Sequence, residues 1–365
     1  KVLGGDPENP FVLFPETVEL YAKRAAELEQ IVAAKYAAKA EWAAANPALA
    51  EKMDFFFSGK TNVNWDAIAQ KPGQATRAAS ATVLATLAKE VENMIVSSAD
   101  LSNSDKTDGF LKNTKAFTKD DFSGAFLQAG VAELTMACVC IGMSLHGGVI
   151  AACATFFVFS DYMKPAVRMA ALMEQPVKFI WTHDAFRVGE DGPTHEPVEQ
   201  EAQIRLMEKL KNHKGQNSML VLRPADVEEC TVSWKMAMEN THTPTALILS
   251  RQNIVDLPAA DRKAEAAKAE KGGYIVSCDG NPDVILVASG SEVSTLNEGA
   301  ALLRADGIKV RLVSVPSEGL FRSQSAEYQE EVLPKNAKIF GLTAGLPVNL
   351  LCLVGANGKV WGLES

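Results

Sequence analysis

Val177-Lys178-Phe179-Ile180-Trp181 is a short, nearly unbroken apolar run, and it passes directly into Thr182-His183-Asp184-Ala185-Phe186-Arg187-Val188-Gly189-Glu190-Asp191-Gly192-Pro193-Thr194-His195-Glu196-Pro197. A run of this length without polar alternation reads as a strand covered on both faces. Similar runs occur at Asn93 to Val96, Gly148 to Ala154, Met219 to Leu222 and Leu247 to Ser250. Between them Ala78 to Ala88, Glu133 to Met143, Phe159 to Met173 and Glu228 to Glu239 have helical spacing. Strands alternating with helices predict a parallel α/β sheet. In such sheets ligands bind where strands end, so the polar loop after Trp181 is a candidate site.

Outward from this core, Val284 to Ala288, Glu292 to Arg304 and Val310 to Val315 form a strand-helix-strand crossover, closed by Gly307 and followed by a strand at Lys338 to Leu342. Leu257 to Gly272 reads as a polar linker before it. Thr17 to Met53 is rich in Ala, Glu and Lys and predicts helix, divided at Pro47 after Asn46. The expected fold is therefore α/β: an amino-terminal helical arm (1–72) followed by two parallel-sheet α/β domains (73–255 and 256–365). The first residue is Lys rather than Met, and the last, Ser365, follows a strand-like Lys359 to Leu363, so both ends are expected to be cut from a longer chain.

The 365 residues are 47% hydrophobic and 22% charged, an ordinary globular composition. A net charge of −9 argues against nucleic acid as the main partner. The six cysteines, at 138, 140, 153, 230, 278 and 352, lack Cys-x-x-Cys spacing and predict reduced thiols, a cytoplasmic location and no zinc. Leu134 to Phe159 is interrupted by Ser144, His146, glycines and Thr155, so no membrane span is expected. No Gly-x-Gly-x-x-Gly follows a strand and no phosphate-binding loop ends in Gly-Lys-Ser/Thr.

His183 and His195, two of five histidines, share the polar loop with Glu190 and Asp191. They suit proton transfer or phosphate and sugar binding, or simply local hydrogen bonds in a surface loop. Glu133 opens an apolar helix, where it either answers the helix dipole or, if buried, needs a donor or a proton. Phe156, Phe159 and Tyr162, spaced at three, are either a core stripe or an apolar slot for a flat heterocycle. Arg77 and Arg251 stand at element boundaries, fit for a phosphate or a surface ion pair. Asp100 and Ser104 belong to a polar turn after a strand.

Gly189-Glu190-Asp191-Gly192-Pro193-Thr194-His195-Glu196-Pro197-Val198-Glu199-Gln200 and Ser144-Leu145-His146-Gly147-Gly148, in order with Ala166-Val167-Arg168-Met169-Ala170-Ala171-Leu172, Leu222-Arg223-Pro224-Ala225-Asp226 and Leu249-Ser250-Arg251-Gln252-Asn253, resemble the transketolases, thiamine-diphosphate enzymes that move two-carbon ketol groups between sugar phosphates. The resemblance covers nearly the whole chain but part of the family's length: arm, pyrimidine-binding domain and most of a carboxy-terminal domain. It implies that the amino-terminal domain, with its Mg2+ or Ca2+ ligands, lies outside this chain, and that no metal ligands lie within it. It also implies a homodimer with the cofactor between subunits.

By the same resemblance Glu133 hydrogen-bonds the aminopyrimidine ring nitrogen and so activates the cofactor. Phe159 stacks on that ring, with Phe156 and Tyr162 lining the slot, and Asp100 stands beside the thiazole. His195 faces the reacting oxygens of the donor sugar and Asp191 reads a sugar hydroxyl. Arg77, Ser104, His183 and Arg251 bind the sugar phosphate. The substrates implied are xylulose 5-phosphate as donor and ribose 5-phosphate or erythrose 4-phosphate as acceptor, in the pentose phosphate pathway. Ala185-Phe186-Arg187 departs from the family's usual residues, and Lys209 to Ser218 reads as extra loop. Alternatives are a split transketolase, a β-type subunit of a thiamine-diphosphate dehydrogenase, or a non-catalytic dimerisation module. The chain alone is expected to be inactive.

Overall fold

The computed structural model describes residues 4–364, which divide into two compact units. The first, ending at Ser58, is two helices, α1 (Pro15–Ala45) and α2 (Pro47–Phe57). Each carries proline in its first turn, where a missing N–H costs nothing. The helix breaks at Asn46, as Pro47 predicts, and no residue of either helix is buried.

The second unit, from Gly59, begins with α3 (Thr76–Glu90), β1 (Met94–Ser98), α4 (Ser102–Asp105), α5 (Asp108–Leu111), β2 (Phe126–Gln128), α6 (Glu133–His146) and β3 (Ile150–Phe156). It continues through α7 (Ser160–Leu172), β4 (Lys178–Thr182), α8 (Gln200–Lys209), β5 (Leu220–Leu222), α9 (Val227–Glu239) and β6 (Thr245–Leu249). These six strands form one sheet in the order β2-β1-β3-β4-β6-β5, parallel throughout. Successive side chains enter opposite layers. Ala152, Ala154 and Ile180 join the layer under α3 and α9, while Ala151, Cys153, Phe179 and Trp181 join the layer under α6 and α7.

Beyond this sheet lie α10 (Arg262–Ala266), β7 (Tyr274–Cys278), β8 (Val284–Ala288), α11 (Glu292–Ala305), β9 (Val310–Ser314), α12 (Glu318–Arg322), α13 (Ala326–Val332), β10 (Ile339–Leu342), α14 (Val348–Val354) and β11 (Lys359–Trp361), with the strands ordered β11-β10-β8-β9-β7. This second sheet corrects the expectation of two parallel sheets. β7 runs antiparallel to β9, because only residues 279–283 join β7 to β8 and a parallel crossover needs a dozen residues or more. The segment read as a linker is itself structured: it carries α10 and a 3-10 turn at Ala267–Lys271, and Leu257 is buried. Residues 209–218 are less loop-like than expected, since α8 reaches Lys209 and Lys211 pairs with Asn217 in a small antiparallel bridge.

Two arginines, Arg223 buried and Arg262 partly exposed, join the sheets. Arg223, just after β5, donates to Asp184 Oδ2 through Nη2 (2.7 Å) and Nε (3.1 Å), to the Ser289 carbonyl (2.8 Å) and to Glu292. Burial by itself lowers an arginine pKa, but Glu292, Glu201 and Asp184 overcome it and hold Arg223 well above its ordinary value. Arg262 ties Asp226, which caps α9 by accepting from Glu229 N–H (2.9 Å), to Tyr274 on β7 (2.8 Å).

Arg223→Met should destabilise the second unit by about 3–5 kcal/mol, since it strands buried carboxylates. Adding Asp184→Asn and Glu292→Gln should recover much of the loss. Urea titrations of the three proteins measure both steps, and a loss below about 1 kcal/mol would show that the cluster contributes little.

Candidate active site

The carboxyl ends of β1, β3, β4 and β6 converge on one cluster. β3 ends at Phe156, and the 3-10 turn Phe157–Phe159 splits the aromatic run. Phe157 turns into the core against Trp181, with ring centroids 5.8 Å apart. Phe156 and Phe159 instead form a nearly parallel pair, 5.9 Å apart with 10° between ring planes, and Tyr162 continues the row 6.0 Å from Phe159. Tyr162 is 62% exposed.

Both loop histidines reach these rings. His183 stacks on Phe156 with centroids 3.6 Å apart, and His195 meets Phe159 edge-on at 5.2 Å. Thr194 Oγ1 lies 2.8 Å from His195 Nδ1. His183 is buried, immediately follows β4 and has φ +61°, a left-handed conformation rare for histidine. Asp100, just after β1, does the same at φ +63°. Left-handed residues at two strand exits are the kind of backbone strain that surrounding structure sustains at binding sites.

Arg77 completes the cluster from the first turn of α3, which is pinned to the end of β6 through Thr76 N–H and Ser250 Oγ (3.0 Å). Its Nη1 donates to the Ser104 carbonyl (2.7 Å) and lies 3.3 Å from His183 Nε2. A guanidinium can only donate, so Nε2 accepts and the His183 proton sits on Nδ1, facing Thr182 Oγ1 at 2.9 Å. Burial, with Arg77, Arg251 and His195 adding to it, pulls the His183 pKa down to about 3. Burial and Arg251 likewise lower Arg77. Arg251 packs against Gly189, where a Cβ would come within 3.0 Å of the guanidinium. Among the described residues neither Arg77 nor Arg251 has a carboxylate within 4 Å.

Glu133, Asp100 and Asp191 stand outside this contact network. Glu133 is 8% exposed as the first residue of α6, and among the described residues no hydrogen bond or ion pair engages its carboxylate. Asp100 is exposed, and so is Asp191, whose carbonyl accepts from Thr194 Oγ1 (3.5 Å). One supporting residue was missed from the sequence. Buried Asp105 accepts from Ser98 Oγ (2.6 Å) and from Thr107 N–H (2.9 Å) and Oγ1 (2.7 Å), and burial raises its pKa despite these bonds. It shapes the turn that carries Ser104, and only its place in a polar turn could have flagged it. Among the described residues no three His, Cys, Asp or Glu side chains group to hold a metal ion.

Comparison with known proteins identifies the family of both sheets. Residues 72–255 match the transketolase pyrimidine-binding domain, and residues 272–365 match the transketolase-like carboxy-terminal domain. The chain belongs to the transketolase family. It is 42% identical to a transketolase of Halalkalibacterium halodurans over 332 residues, 89% of this chain and 48% of that protein. A transketolase of Pichia stipitis, solved in complex with sedoheptulose 7-phosphate, superimposes with a TM-score of 0.86 at 33% identity, over 99% of this chain and 52% of that one. This transketolase-family chain thus spans about half the length of such relatives. A split-gene transketolase, solved as an inactive β4 tetramer, matches over 80% of this chain and 90% of its own length, with 26% identity and a TM-score of 0.61.

The His183 geometry has a measurable consequence. A histidine held below its unfolded pKa favours the neutral native form, so the stability it lends is full above about pH 6.5 and is lost as pH falls toward 3, at up to about 1.4 kcal/mol per pH unit. Proton NMR should show no His183 titration between pH 8 and 5. Stability curves of wild type and His183→Asn should converge as pH falls through this range. A His183 midpoint near 6.5 would contradict the assigned tautomer and contacts.

Proposed function

We propose that this chain is the pyrimidine-binding half of a transketolase, acting with thiamine diphosphate to move a two-carbon ketol group from xylulose 5-phosphate to ribose 5-phosphate or erythrose 4-phosphate in the pentose phosphate pathway. The observation that carries the reading is the pair of arginines without carboxylate partners, Arg77 and Arg251, beside neutral His183, Ser104 and an aromatic row that ends in exposed Tyr162. Cations left unpaired at strand ends are an anion site, and a phosphate is the anion that two guanidiniums, a hydroxyl and an imidazole together suit. An arriving phosphate would offset the charge of Arg77 and Arg251 that adds to burial in holding His183 neutral.

The remaining residues fit the pyrimidine half of the cofactor. Phe159 offers a ring for a flat heterocycle to stack on, Phe156 lies behind it under His183, and Glu133 offers a carboxylate that no neighbour among the described residues uses. Thiamine diphosphate supplies the carbon nucleophile that carries the two-carbon unit. Glu133 accepts a hydrogen bond from a ring nitrogen and holds its proton there. His195, packed edge-on to Phe159, stands over the row and moves protons at the sugar oxygens, while Asp191 accepts from a sugar hydroxyl and Asp100 borders the second ring. The diphosphate and its Mg2+ or Ca2+ would be held by an amino-terminal domain outside this chain.

A second copy is the other partner. Exposed Val131, Leu134, Val139 and Leu145 on and before α6, with Met169 and Leu172 on α7, put apolar side chains on the layer that carries Glu133 and Tyr162. Such a patch marks an association surface. No helix among the described residues is long and apolar enough to cross a membrane. The free thiols suit a reducing, cytoplasmic setting.

The purified chain should show no ketol transfer, and adding a transketolase amino-terminal half with thiamine diphosphate and Mg2+ should restore it. Transfer by the chain alone would refute the half-enzyme reading. In the assembled enzyme, Glu133→Gln should lower turnover about 100-fold or more with the fold unchanged by circular dichroism. Arg251→Ala should raise KM for sugar phosphates about tenfold and leave an unphosphorylated ketose unaffected. Equal effects on both substrates would remove Arg251 from phosphate recognition.

A further inference from the structure

The second sheet has its own topological switch point. From β8 the chain runs through α11 to β9 on one side, and from β9 it returns past β8 to β10 on the other. The crossovers that leave β8 and β10 cover opposite faces: α11, between β8 and β9, packs with Leu286, Ala288 and Leu312, whereas α14, between β10 and β11, packs with Ile285, Val287 and Ile339. The chain therefore diverges beyond the carboxyl ends of β8 and β10, the position where open α/β sheets bind their ligands.

A cavity of about 300 Å³ lies there, closed on its other side by residues 185–187 and 252–255 from the first sheet. This is the size of a small-molecule pocket. Its lining differs from that of the sugar-phosphate cluster. It includes two half-exposed aromatic rings, Phe186 (42%) and Trp361 (55%), and Arg187, whose guanidinium lies over Phe186 at 5.8 Å. Among the described residues Arg187 has no carboxylate within 4 Å. Gln252 and Ser294 add neutral hydrogen-bonding groups, and Glu298 stands exposed at the edge. Buried Glu292 already belongs to Arg223.

We infer that this crevice is a second ligand site, for a small aromatic or heteroaromatic molecule carrying one carboxylate or phosphate. The rings of Phe186 and Trp361 receive the flat part and Arg187 receives the anion. Glu298 disfavours polyanions, which separates this ligand class from nucleoside triphosphates. The site stands on the second sheet's topology and lining and does not depend on ketol transfer.

Titration calorimetry on the full chain with indole-3-acetate and with adenosine 5′-monophosphate tests it, with adenosine and inorganic phosphate as controls. One or both aromatic anions should bind one-to-one with Kd below about 1 mM, at least about tenfold tighter than either control. The better probe identifies the head group as carboxylate or phosphate. Trp361→Ala and the surface change Arg187→Gln should each weaken binding about tenfold, and Arg251→Ala should leave it unchanged. Absence of saturable binding by both probes would overturn the proposal. So would binding abolished by Arg251→Ala but retained by Trp361→Ala and Arg187→Gln, which would assign the anion to the sugar-phosphate cluster.

Discussion

Arg223 is the constraint on which the two-sheet body depends. It is 1% exposed and reaches Asp184 at the exit of β4, the Ser289 carbonyl after β8 and Glu292 at the start of α11. A guanidinium so placed is stable only if every donor is met and its charge is matched, because removing it from water costs several kcal/mol. Here the carboxylates come from both sheets, so the charge is matched only while the sheets are docked. Burial raises Glu292, and Arg223 counters that, whereas Glu201, held by Arg223 and Arg205, is lowered. The consequence reaches the site. Asp184 adjoins His183, so the clamp also fixes the left-handed turn that carries the imidazole onto Phe156.

Set beside Arg223, the other arginines divide by whether the fold satisfies them. Arg223 and Arg205, both buried, and the partly exposed Arg262 are each met by carboxylates and join elements. Arg77 and Arg251 lie close enough to depress Arg77's pKa, and neither has a carboxylate partner among the described residues. Two like charges held together are unfavourable by themselves, and the pinning of α3 to β6 through Thr76 and Ser250 is what imposes the arrangement. An arrangement that costs stability without answering a packing need is explained by a ligand that neutralises it.

Much of this was legible in the sequence. The apolar runs ending in polar loops marked the parallel sheet and the end at which a site belongs, and the strand read at 177–181 is offset from the observed β4 by one residue at each end. Convergence was legible only in part. Spacing at three foretold the Phe156, Phe159 and Tyr162 row, but neither the stacking of His183 on Phe156 nor its tautomer follows from a sequence pattern, because both depend on Arg77, over a hundred residues away. β7 escaped because a five-residue edge strand beside a short turn carries little pattern, and its antiparallel pairing is decided by the length of the turn that follows. Arg223 stood in a quoted motif without a role, since a buried cation is recognised only when its three partners are in view.

Glu133 shows why half a site can be read from one chain. A carboxylate at a helix start, mostly buried yet without a hydrogen-bonding partner among the described residues, loses solvation with no protein contact in return. The exposed apolar side chains nearby on α6 and α7 lose nothing by being covered. Closing that layer with another protein surface would bury the apolar groups at a gain and raise the cost of an unanswered Glu133, unless a ligand in the same space supplied the missing donor. On the proposed function, where a second copy covers this layer and the cofactor supplies that donor, association and cofactor binding would be coupled at this position, each making the other more favourable.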